Sequence, residues 1–200
     1  MNILIMGASG TIGQSVIDRM ASNHDIIRAG RQGQDIQVDM TSPESIESMF
    51  KRLDGIDAVV VAAGGAAFKP LSELTPADND TAINSKLKGQ VNTVLIGQHY
   101  LSDGGSFTLT TGVMVDDPIA CGASASMANG GVETFVRSAS FELGRGLRLN
   151  SVNPSVLDES WSKYGKFFPG FETVPAARVG MAYQKSIEGC QTGQIFYVRW

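Results

Sequence analysis

The sequence predicts an α/β fold: a doubly wound parallel sheet of about seven strands, helices on both faces, and a shortened second crossover. Two observations carry this. Short apolar runs alternate along the chain with longer segments of helical spacing. Several of those runs are apolar at consecutive positions, which strands covered on both faces require.

The strands are expected at NILIM (2–6), DIIRAG (25–30), DIQVDM (35–40), DAVVVAAG (57–64), GSFTLTT (105–111), RLNSVNP (148–154) and QIFYV (194–198). Between them IGQSVIDRMAS, SPESIESMFKRL, KLKGQVNTVLIGQHYL, MANGGVETFVRSASFEL and VPAARVGMAYQKSIEG read as helices. Only Arg31, Gln32, Gly33 and Gln34 separate the second run from the third, too few for a crossover helix. Residues 155–175 break the periodicity and carry Trp161, Tyr164, Phe167, Phe168 and Phe171. They form a lid over a pocket, or else complete the core or an oligomer contact. The span 1–200 reads as a single domain.

The first strand runs into Gly7-Ala8-Ser9-Gly10-Thr11-Ile12-Gly13, and an amphipathic helix follows at once. Glycines three apart allow a tight turn, close approach of a pyrophosphate to the backbone amides, and close helix–strand packing. This placement marks a Rossmann-type dinucleotide site, with Gly7, Ser9, Gly10, Thr11, Ile12 and Gly13 as its phosphate-binding residues. At the end of the second strand a carboxylate would hold the ribose hydroxyl of NAD. The chain has Ala29-Gly30-Arg31 there, and arginine suits a 2′-phosphate, so the expected cofactor is NADP(H).

Composition narrows the partners. A formal charge of −4 with no basic run argues against nucleic acid and anionic lipid. The longest apolar run, AVVVAAGGAAF, is about half a membrane span, and MNILIMGASG lacks a basic leader. Cys121 and Cys190 stand alone, indicating neither a disulfide framework nor a zinc site, so the expected setting is a reducing cytoplasm. His24 and His99 lack catalytic partners at useful spacing, and Asp116 and Asp117 read as a solvated turn or as substrate-facing groups.

The order of these motifs resembles the short-chain dehydrogenase/reductase family over nearly the whole chain. GASGTIG looks like the family's cofactor turn, and Asp39 in VDMTS, followed by Met40, like the residues that contact the adenine. Ala62-Ala63-Gly64 sits where the family has Asn-Asn-Ala-Gly or a relative, and Pro154 in LRLNSVNPS falls in its Asn-x-x-x-Pro-Gly ending, with Ser155 in place of glycine. The resemblance implies hydride transfer between a nicotinamide and a small carbonyl or alcohol. It also implies a Tyr-x-x-x-Lys pair on the fifth helix, a serine after the fifth strand and an asparagine on the fourth helix.

Those groups are altered. Ungapped matching of FVRSASFELG to the family helix puts Ala125 at the tyrosine position and Asn129 at the lysine position. KLKG matches the family's Asn-Leu-x-Gly and puts Lys86 at the asparagine position, so lysine and asparagine have traded places. Thr111 or Thr110 stands for the serine, with Thr111 the expected catalytic hydroxyl beside Lys86 and Asn129. Ser124 and Ser126 read as capping or packing hydroxyls; Tyr164, on the lid, and Tyr183, on the last helix, reach a pocket only through an arrangement the sequence does not show. Two functions compete: an NADP(H)-dependent oxidoreductase with a non-standard proton relay, and an inactive NADP(H)-binding regulatory or redox-sensing protein. The resemblance further implies a homodimer or homotetramer through the fourth and fifth helices.

Overall fold

The computed structural model describes residues 1–199, so only residue 200 of the expected 1–200 span lies outside it. Its seven strands are β1 (Asn2–Met6), β2 (Asp25–Gly30), β3 (Ile36–Gln37), β4 (Ile56–Val61), β5 (Leu101–Thr110), β6 (Arg148–Pro154) and β7 (Ile195–Val198). They form one sheet in the order β3-β2-β1-β4-β5-β6-β7. Every pairing is parallel, so all strand C-termini meet on one edge.

The helices are α1 (Thr11–Met20), α2 (Pro43–Phe50), α3 (Pro76–Thr81), α4 (Gly89–Gly97), α5 (Ala123–Ala139), α6 (Trp161–Tyr164) and α7 (Ala176–Glu188). Successive β1 residues point to opposite faces. Leu4 and Met6 pack with Ile46 and Phe50 of α2, Val94 of α4 and Val132 of α5. Ile3 and Ile5 pack with Val16 and Ile17 of α1 and Val179 and Tyr183 of α7. Each fully buried isoleucine or leucine contributes roughly 2 kcal/mol, which explains why these runs lack polar alternation.

No helix crosses between β2 and β3, as the four-residue spacing requires. β3 is shorter than the DIQVDM run because the chain turns away early. Val38 still donates to Gly30 O at 2.9 Å, but the Asp39 amide donates to Ser45 Oγ and its carboxylate accepts from the Thr41 amide, both at 2.9 Å. Ser42 then caps α2 by accepting from the Ser45 amide, with Pro43 in the first turn.

The third helical segment begins at Pro76 rather than at residue 86. Thr75 and Asp78 form a reciprocal capping box, and Pro76 lies in the first turn. α3 buries no residue, so apolar periodicity could not mark it. Between α3 and α4, Ala82–Lys88 is wound as a π-helix.

Candidate functional site

The glycine turn is held by backbone geometry. Gly7 has φ +86°, and a Cβ there would stand 2.5 Å from Ala62 O. A Cβ on Gly13 would stand 2.2 Å from Gly7 O, which keeps α1 tight against β1. Gly10 precedes α1 in extended conformation without a side-chain cap. The amides of Thr11, Ile12 and Gly13 have no carbonyl a turn behind them within the helix and point along its positive end. Ser9 and Thr11 are exposed beside them.

Arg31 follows β2 on this edge, is exposed, and has no ion-pair partner within 4.0 Å among the described residues. The Thr41 amide and hydroxyl, and more weakly the charge of Arg31, hold the Asp39 carboxyl below its usual range. Met40 is buried against Gly89 at the head of α4. Ala62, Ala63 and Gly64 leave β4 beside the turn. The Ala62 amide donates to Met6 O at 2.8 Å, and Gly64, at φ +118°, lies so near Lys86 Cα that a Cβ would approach it to 2.8 Å.

Next to this edge lies a cavity of about 280 Å³ whose wall includes Ile12, Gly64, Lys86, Thr111, Ala125, Asn129 and Pro154. It therefore gathers all three expected catalytic residues with four positions expected to bear on cofactor or proton transfer. The remaining wall is mostly apolar: Phe68, Val113, Met114, Val156, Leu157 and Phe168. Of the five aromatics between residues 155 and 175, Tyr164 and Phe168 line it. Phe68 packs on Tyr164 and Phe167 with ring centroids 5.7 and 5.3 Å apart.

Lys86 sits on the π-helical turn, partly buried, with no hydrogen-bond or ion-pair partner recorded among the described residues. Burial pushes its ammonium down from 10.5 to about 8, because a charge removed from water without a counter-ion is disfavoured. Asn129 is 1% exposed and its Oδ1 has no hydrogen-bond partner. Lys86 and Asn129 share the cavity wall without a hydrogen bond between them.

The structure separates the two threonines. Thr110 Oγ1 is turned inward, bonded to Val61 O at 2.6 Å and to the Tyr183 hydroxyl. Burial raises the Tyr183 phenol well above its usual range, and this tyrosine does not line the cavity. Thr111 lines it and donates to Glu133 Oε1 at 2.9 Å. Glu133 is 1% exposed and also accepts from Asn153 Nδ2 at 2.6 Å. Glu133 is not among the expected site residues: a glutamate with arginine four positions later has the local pattern of an exposed helix pair.

Other expected roles resolve simply. Asp116 pairs with Arg199 at 2.9 Å and stands outside the cavity wall. His24 bonds to Glu188 at 2.9 Å, linking the turn after α1 to α7. Ser126 Oγ donates to Met114 O at 2.9 Å, tying α5 to the loop after β5.

Comparison with known proteins agrees with this architecture. A sequence model of the family described as Enoyl-(Acyl carrier protein) reductase matches residues 12–188. The protein lin1944 from Listeria innocua is 52% identical, with a TM-score of 0.97 and 99% of each chain covered. A small-chain dehydrogenase solved in complex with NADPH is 22% identical, with a TM-score of 0.89, covering 100% of this chain and 96% of the other. Versicolorin reductase stcU from Emericella nidulans is 24% identical over 168 residues, 80% of this chain. The chain spans only 61% of that reductase's length. On the family match, supported by the parallel seven-stranded sheet and the glycine turn at its edge, the chain belongs to the short-chain dehydrogenase/reductase family.

Proposed function

We propose that the chain is an NADP(H)-dependent oxidoreductase acting on a small, largely apolar carbonyl or alcohol, with a proton relay that lacks the family tyrosine. The observation that carries this reading is Lys86: a cavity-lining ammonium, brought to about 8 by burial, beside Asn129 and Thr111. Such a group holds a proton at neutral pH yet releases it more readily than an exposed lysine.

The residues fit the dinucleotide on two counts. Gly7 and Gly13 leave no room for a Cβ where the backbone folds at the helix start, and Asn129 Oδ1 is a buried acceptor awaiting a donor. Gly7, Ser9, Gly10, Thr11, Ile12 and Gly13 would hold the pyrophosphate, Arg31 the 2′-phosphate, Asp39 and Met40 the adenine, and Ala62, Ala63, Gly64 and Pro154 the inner part. Lys86 and Asn129 would bind the nicotinamide ribose. When bound, NADP(H) supplies or accepts the hydride. Residues 1–200 act as one nucleotide-binding domain, with 155–175 as a lid that keeps water from the cavity. Arg31, open and cationic, supports NADP(H), and so does the NADPH held by the small-chain dehydrogenase neighbour.

A homodimer or homotetramer through α4 and α5 would use the mixed groove there, where Leu95, Phe135 and Leu143 stand among Gln98, Ser138 and Glu142. Among the described residues no helix is long and apolar enough to cross a membrane. A second reading, a redox-sensing NADP(H)-binding protein, is favoured by Ala125, which lines the cavity at the tyrosine position with no group that carries a proton. Calorimetry with NADPH and NADH, followed by nicotinamide absorbance against ketones, aldehydes and quinones, decides. NADPH-selective binding with oxidation by a panel member supports the reductase; tight binding without turnover favours the sensor; no binding rejects both.

A further inference from the structure

Behind the cavity wall lies a buried polar cluster that the relay above does not use. Glu133 Oε1 accepts from Thr111 Oγ1 at 2.9 Å and from Asn153 Nδ2 at 2.6 Å. Its Oε2 faces the half-exposed Arg137 guanidinium at 3.4 Å. Asn153 Oδ1 accepts from Arg199 at 3.0 Å, and Arg199 pairs with Asp116 at 2.9 Å. Burying a carboxylate is costly unless its oxygens are satisfied, and here donors reach both. The cluster is anchored from β6, α5 and the chain after β7, so the carboxylate has a fixed position.

The consequence falls on Thr111. A hydroxyl has one hydrogen to give and two lone pairs to accept with. The hydrogen of Thr111 is committed to a carboxylate, the stronger class of hydrogen bond. The other acceptor within reach is Val152 O, at a marginal 3.5 Å and part of the sheet backbone. Thr111 lines the cavity while 5% exposed, so a ligand that reaches its oxygen there meets lone pairs and not the hydrogen.

We propose that Glu133 is a positioning residue that holds the Thr111 hydroxyl as a hydrogen-bond acceptor toward the cavity, so that the site selects the hydroxyl of a small alcohol over the matching carbonyl. The inference rests on reading this cavity as the substrate site. A carbonyl oxygen against Thr111 sets acceptor against acceptor. An alcohol O–H donates and completes a chain from ligand to Thr111 to Glu133 in which each bond polarises the next. Lys86, Asn129, Ser155, Ser160 and Tyr164 also line the cavity and are common to both ligands, so the contribution of this one contact is read from the change that Thr111→Val makes.

The test compares cyclohexanol with cyclohexanone, a pair matched in shape. Dissociation constants are read from the Met114 methyl NMR signal without added dinucleotide, so that no turnover intervenes. The wild type is expected to bind the alcohol about tenfold more tightly. Thr111→Val keeps the shape, removes the hydroxyl and brings the ratio near one. Glu133→Gln keeps an acceptor and the preference; Glu133→Met frees the Thr111 hydrogen and reduces the preference at least threefold. If Glu133→Met fails to fold, Thr111→Val carries the test alone. Equal binding in the wild type, an alcohol preference that survives Thr111→Val, or no binding of either ligand overturns the proposal. NADPH calorimetry on the same samples separates the readings: lost dinucleotide binding with an intact alcohol preference defeats the oxidoreductase and spares this inference.

Discussion

Replacing Lys86 by methionine keeps most of the aliphatic stem and removes the ammonium. A fall from 10.5 to about 8 corresponds, at about 1.4 kcal/mol per tenfold change in proton affinity, to a penalty of about 3 kcal/mol for holding the charged form in the folded protein. Because the side chain still meets the cavity, this is a ceiling. The unfolded chain binds more protons than the folded one between about pH 8 and 10.5, so the penalty is fully present below pH 8 and fades as pH rises through that window. Lys86→Met is therefore expected to stabilise the ligand-free protein at pH 7 by about 1–3 kcal/mol, and by nearly nothing at pH 10.5 relative to wild type at the same pH. In a chain of this length that is a Tm gain of several degrees at pH 7. NADPH affinity falls in the same variant if Lys86 holds the ribose. Urea denaturation at both pH values measures the difference. A gain that does not change with pH would refute the reasoning, because packing rather than charge would then be its source; no gain would place Lys86 in water.

Three further outcomes follow from the geometry. Arg31→Glu should lower NADPH affinity by about 10–100-fold and narrow the preference over NADH, since it replaces the forked donor by a like charge; calorimetry with both dinucleotides reads this. Gly7→Ala should cost more than about 3 kcal/mol in urea denaturation, because the new Cβ meets the Ala62 carbonyl as well as an unfavourable φ. Tyr183→Phe should cost about 1 kcal/mol by removing its bond to Thr110 while leaving NADPH affinity unchanged; weakened binding in a folded variant would bring Tyr183 into the site.

The parts of this molecule governed by local sequence were readable. DIIRAG and RLNSVNP are strands over the expected residues because every residue of each is paired on at least one side: 25–29 with β1 and 29–30 with β3, 148–152 with β5 and 151–154 with β7. The absent crossover helix followed from chain length alone, and the glycine turn from the exclusion of side chains. Helix 76–81 was readable in principle from Thr75-Pro76 and Asp78, yet periodicity missed it because it has no buried face. β5 begins at Leu101, before the expected Gly105, because an irregular register at Ile56 and Ala58 admits the polar residues 102–104 to the strand.

Glu133 was not readable, and the reason is physical. A charged residue with arginine four positions later has the local signature of a solvated helix face. What buries it is the convergence of Thr111 from the end of β5 and Asn153 from β6, neither near it in sequence. The same convergence decides the role of Thr111: sequence could place a hydroxyl at the family's serine position but not say where its hydrogen goes. A serine that polarises a carbonyl must donate, and this threonine has already donated inward. Residue type at a matched position thus fixes which atoms reach a cavity, whereas the residue behind it fixes whether those atoms give or accept. In this chain the residue behind is a buried carboxylate, and it turns a hydroxyl matched to a carbonyl-binding serine into an acceptor for an alcohol.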